Sequence, residues 1–94
     1  MNPAIALITS TLAQPPIPFN PATQTPKGWV VHCLRDRGFK VVTFSPKADL
    51  IVESKAGEIG FKVTQNPEEA VPGPIGWIIL DPSHQQAQVV PPQD

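Results

Sequence analysis

Hydrophobic and polar positions follow two different rhythms along these 94 residues. Trp29, Val30, Cys33, Leu34 and Arg37 recur at spacings of three and four, the period of one helical face. Thr25-Pro26 ahead of them reads as an N-cap and a first helical position, and Gly38 stands where a C′ glycine belongs. A helix is therefore predicted over 26–37. The pattern then changes to β-formers. Residues 39–44 (Phe-Lys-Val-Val-Thr-Phe) read as a strand, and Ser45-Pro46-Lys47 interrupts it. Residues 49–53 form a second short strand and 58–64 a third. The turn Ser54-Lys55-Ala56-Gly57, with Gly57 able to take a positive φ, joins these two into a hairpin. Asn66-Pro67-Glu68-Glu69 opens a helical turn in the form of a capping box, which Pro72 and Pro74 stop. Residues 75–80 (Ile-Gly-Trp-Ile-Ile-Leu) are almost continuously apolar. Such a run predicts a strand buried on both faces, and Asp81-Pro82 ends it.

The two ends read differently. Asn2-Pro3 repeats the cap-then-proline signal, and Ile5, Ile8 and Leu12 follow at helical spacing. A short helix near 3–13 and a frayed terminus are equally weighted expectations. Pro15, Pro16, Pro18 and Pro21 impose an extended stretch, either a polyproline docking peptide or a spacer. No Lys or Arg precedes the apolar opening, so it is not read as a signal peptide. Val89-Val90 could add an edge strand, but Pro91-Pro92 argue for a loose tail. The expected organisation is a Pro-rich arm (1–25), a globular domain (26–81) and a Gln/Pro-rich flexible tail (82–94). The fold expected is α+β, or a small α/β layer. One main helix packs on a mixed, roughly four-stranded sheet, with a short N-terminal helix as an addition. One helix covers one face only, so the N-terminal helix or a second copy of the chain should cover the rest. A homodimer is a natural expectation for so short a core.

Composition sharpens this picture at three points. Thirteen prolines and six glycines make up about a fifth of the chain, and six of the prolines precede Lys27. The net charge of −1 conceals a segregation: all seven Lys and Arg lie between Lys27 and Lys62, where four acids leave a balance of +3. The last 32 residues carry four acids and no base. One cysteine can make no internal disulfide and cannot alone hold a structural zinc. No apolar run approaches the ~18 residues of a membrane span, and a cytoplasmic location is the expectation.

The central layout carries a resemblance. A helix ends in Arg37-Gly38-Phe39 and runs into Lys40-Val41-Val42; Ala48-Asp49-Leu50-Ile51-Val52 follows; after a turn comes Ile59-Gly60-Phe61-Lys62-Val63-Thr64. Over about 26–64 this resembles the core of the PD-(D/E)xK, or restriction-endonuclease-like, superfamily. There a helix precedes a strand, an Asp opens the next strand, and an acid-x-Lys triplet lies on the one after. The resemblance implies a Mg²⁺-dependent nuclease site, with carboxylates holding the ion and the ion and Lys acting on the scissile phosphate. Asp49 matches the metal-binding Asp and Lys62 the catalytic Lys. Gly60 stands where the triplet's acid belongs, and Ala48 replaces the frequent Pro before the Asp. Glu58, two residues earlier on the same strand, or Glu53 on its neighbour would have to supply the second carboxylate.

Other residues point less sharply. Lys27, Arg35, Arg37 and Lys40 are candidates for a nucleic-acid-binding face, against the reading of ordinary surface charge. Trp29, Trp77 and Cys33 are read as core, and His32 and His84 receive no role. The reading is a small non-enzymatic binding or accessory module with a catalytically degenerate nuclease-like core. It would act through a protein partner or self-association, and no cofactor is expected. The alternatives are a metal-dependent endonuclease using Asp49, Lys62 and Glu58 with Mg²⁺, and a nucleic-acid-binding protein without catalysis.

Overall fold

A computed structural model describes residues 3–43, 46, 48–54, 57–81 and 86–93. Helix α1 (Pro3–Ala13) and helix α2 (Pro26–Asp36) precede β1 (Lys40–Val42), β2 (Leu50–Ser54) and β3 (Gly57–Thr64). A 3₁₀ turn (Pro67–Glu69), β4 (Gly76–Asp81) and β5 (Gln86–Val90) complete the order. The strands lie side by side in chain order, β1-β2-β3-β4-β5, antiparallel except for the parallel pair β3–β4. This is the mixed-sheet α+β architecture expected. It has two helices and five strands rather than one main helix and four strands.

The termini of α2 follow their local signals. Thr25 is the N-cap and its side chain accepts from the Gly28 N–H at 3.0 Å. At the other end Gly38 adopts φ 93°, a left-handed conformation that costs glycine nothing. Its N–H donates to the Arg35 carbonyl and that of Phe39 to the Leu34 carbonyl, both at 3.0 Å. These two bonds close a Schellman motif and turn the chain into β1. Gly57 also takes positive φ, 124°, at the start of β3 of the expected hairpin. The two residues between β2 and β3 lie outside the described residues. So do Phe44, Ser45 and Lys47 of the predicted first strand and its interruption, and His84.

Both helices pack on one face of the sheet. Ile8 and Leu12 of α1 and Trp29, Val30, Cys33 and Leu34 of α2 are fully buried with Leu50, Val52, Phe61 and Ile78 in one cluster. α2 lies over β1 and β3, and α1 over β5 and against α2. The arm and the tail thus contribute a helix and a strand to this core. The Pro-rich stretch is bound as well. The Ile17 carbonyl accepts from Trp29 Nε1 at 2.8 Å, with Cys33 Sγ 3.9 Å away. Phe19 is buried edge-on to Trp29, ring centroids 5.7 Å apart.

Among the described residues no α-helix covers the other face. Strand alternation turns Ile59, Phe61 and Val63 to the helices and Gly60, Lys62 and Thr64 away from them. The parallel pair β3–β4 requires the chain to cross back between them. The Thr64 hydroxyl donates to Glu69 Oε1 at 2.7 Å, and Ile75 lies against Gly60. The connection 65–75 therefore returns over this second face. Its turn is not the reciprocal box expected. Asn66 Oδ1 accepts from the Glu68 N–H, but Glu69 turns to Thr64 instead of back to Asn66. On β4, Gly76, Ile78 and Leu80 are buried while Trp77 and Ile79 are only half-buried. The apolar run is therefore fully buried on one face, not both.

Candidate functional site

The second face holds the residues that matched the nuclease pattern. Leu50 pairs with Phe61 in the β2–β3 ladder, so Asp49 stands one step on, beside Lys62. The Asp49 N–H donates to the Phe61 carbonyl at 2.9 Å, and its Oδ2 accepts from the Val63 N–H at 2.8 Å. The carboxylate thus takes the place of a backbone acceptor and extends the ladder beyond the end of β2. Lys62 is exposed, with Nζ 5.7 Å from the centroid of the Trp77 ring. That is within the range of a cation–π contact, and Lys62 and Trp77 are register partners on β3 and β4.

The second carboxylate is elsewhere. Glu58 is exposed and pairs in register with Glu53. Glu53 lies four steps along the chain from Asp49, about 13 Å along the strand at ~3.3 Å per residue. Mg²⁺ takes its ligands at ~2.0–2.1 Å. Glu53 is also engaged, its Oε2 3.1 Å from Lys40 Nζ. Between the two ends sits Gly60. A Cβ there would come within 3.2 Å of Ile75 Cδ1 and 3.3 Å of the Ala48 Cβ. Glycine at this position lets Ile75 and Ala48 close over β3. Among the described residues no three His, Cys, Asp or Glu side chains converge as a metal site.

The four candidate nucleic-acid contacts do not share one surface. Lys27 and Arg35 line a groove along α2 together with His32, Thr25, Gly28, Val31 and Thr43. Arg35 also donates from Nη2 to the Val41 carbonyl at 2.9 Å, which ties α2 to β1. Arg37 is the exposed C-cap of α2. Lys40 lies on the second face of the sheet, paired with Glu53.

Cys33 faces the core. Burial pushes its thiol from 9.0 up to about 11; a backbone hydrogen bond with Ile17 opposes the rise and nearby Asp36 adds to it. A thiol held protonated and enclosed is a poor nucleophile.

The tail forms the edge strand that Val89-Val90 suggest and that Pro91-Pro92 argue against. Gln-Ala-Gln-Val-Val, residues 86–90, is an edge strand without charge or internal proline. The signal was present in the alternation of that run, with Ala87 buried and Gln86 and Gln88 exposed. Among the described residues, β5 receives backbone bonds from β4 and from no other segment. Comparison with known families, curated proteins and solved structures finds no match to the chain. Among the described residues no helix is long and apolar enough to cross a membrane.

Proposed function

We propose that the chain is a small non-enzymatic binding module that acts through protein–protein association. The observation that carries this reading is the β5 edge. Natural sheets blunt their edges with charge, proline, bulges or very short strands, because an unpaired row of N–H and C=O groups recruits another chain. The opposite edge, β1, has three residues and the Lys40–Glu53 ion pair. β5 has five residues and no charge. The nuclease-like residues add support from the other side: Asp49 serves the β-ladder, and Gly60 admits Ile75 and Ala48 where an acid would stand.

A photo-cross-linking side chain at position 88 in the full chain, in producing cells, tests the reading. One discrete adduct is expected from position 88 and none from position 36 on α2. Val90→Lys, which places a charge on the edge, should abolish it. No adduct at 88, or one indifferent to Val90→Lys, would end the proposal.

A second reading, a Mg²⁺-dependent endonuclease, is favoured by the position of Asp49 beside Lys62. Its mark is plasmid cleavage in Mg²⁺ or Mn²⁺ that both Asp49→Ala and Lys62→Ala abolish.

A further inference from the structure

Resting on the association reading, we infer that the partner is a second copy of this chain, joined antiparallel along β5 into one continuous ten-stranded sheet. The register is self-complementary. With a two-fold axis through Gln88, Ala87 faces Val89 of the other copy, Gln86 faces Val90, and Gln88 faces itself. Side chains alternate across a strand, so each such pair joins residues of the same face. Ala87 and Val89, which belong to the helix-covered face, therefore meet their counterparts there. Gln86, Gln88 and Val90 meet on the other face. Two amides opposed at Gln88 can exchange a hydrogen bond, since each carries both donor and acceptor. No like charges are brought together anywhere along the five positions.

A second feature points to the same arrangement. α1 packs over β5 and against α2, so one flank of α1 faces α2 and the other lies outboard of the sheet. Its buried positions are Ala4, Ile8, Thr11 and Leu12. At 100° per residue, Ile5 and Leu7 stand on opposite flanks of that stripe. Ile5 packs against the core, while Leu7 is 60 % exposed. The Leu7 flank is therefore the outboard one. A two-fold axis perpendicular to the sheet places both copies of α1 on the same face, side by side above the β5–β5 seam. Each Leu7 then has an apolar neighbour. An isologous contact of this kind closes as a dimer and leaves no edge for further growth except the short β1.

Sedimentation analysis of the full chain from low to high micromolar concentration tests the assignment. A species of twice the chain mass is expected. Gln88→Lys alone and Gln88→Glu alone should each raise the dimer dissociation constant about fivefold, the effect of one like-charged cross-strand pair. An equimolar mixture of the two variants should recover or exceed the affinity of the natural chain, because residue 88 meets residue 88. Leu7→Lys should weaken the dimer with no loss of helix content. A monomer at every concentration overturns the inference, as does a dimer indifferent to both Gln88 variants or a mixture that fails to recover. The photo-adduct separates the two proposals. An adduct with a different protein defeats only the second-copy assignment, and no adduct of any mass defeats both.

Discussion

Cys33 shows how far a residue's surroundings override its ordinary chemistry. It lies fully buried on α2, beside the Ile17 carbonyl, with its thiol pushed up to about 11. Its folded pKa is therefore above the unfolded value near 9.0. The stability linked to this group is fully present below pH 9. It is lost as pH rises toward 11, because the unfolded chain releases the proton first. Denaturation curves should show stability falling across that window, with a slope contribution approaching ~1.4 kcal/mol per pH unit. Cys33→Ala should remove that contribution, at the cost of a small cavity. A variant with the same slope as the natural chain would mean that another group controls it. Thiol reagents at pH 8 should react with Cys33 only at the rate of unfolding. The burial of this residue was legible in the sequence, since it sits on an apolar helical stripe. The use of Asp49 as a ladder acceptor was not. An Asp before a strand looks the same whether its carboxylate holds an ion or a backbone N–H.

At the scale of elements, local rules predicted α2 and the hairpin, because their determinants lie within a few residues: Thr25 and Gly38 at the helix ends, Gly57 at the start of β3. They leave the Pro-rich stretch open between a docking peptide and a spacer, because its placement is decided by a partner twelve residues away. Ile17 is held by Trp29 and Phe19 packs edge-on to the same indole. The stretch thereby acts as a strap across α2 rather than as a free peptide. Trp29→Phe keeps most of the apolar volume, removes the Nε1 donor and strips the Ile17 carbonyl of its closest partner. The expected cost is ~1–3 kcal/mol, that of an unsatisfied buried acceptor, read as a lower denaturation midpoint. Trp77→Phe, a half-buried site, should cost less than about 1 kcal/mol. Equal costs for the two would remove the strap's claim to hold α2.

The whole molecule depends on its two ends. The segregation of prolines and charge suggested a domain over 26–81, and each end viewed alone lacks the means to fold. An eleven-residue helix is marginal in isolation, and a five-residue strand before two prolines is no better. Their pairing decides the matter: α1 lies over β5, burying Ile8 and Leu12 completely and Ala87 to 5 %. Such a contact links positions some eighty residues apart, which no local pattern reveals. It also carries a large share of the stability. Ile8 and Leu12 alone contribute ~3–6 kcal/mol of hydrophobic burial, against a total of ~5–14 kcal/mol for a chain of this size. Deleting residues 1–14 should therefore not give a trimmed but intact domain. It should uncover Leu80 and Ala87, remove the cover from β5 and abolish cooperative unfolding. Near-UV circular dichroism should be lost, and a dye for exposed apolar surface should bind. A truncated chain with a sharp thermal transition and unchanged near-UV signal would show that 26–81 folds without its ends. If the fold instead collapses, the same helix that completes the core also sets the flank on which Leu7 stands, so folding and association depend on one element.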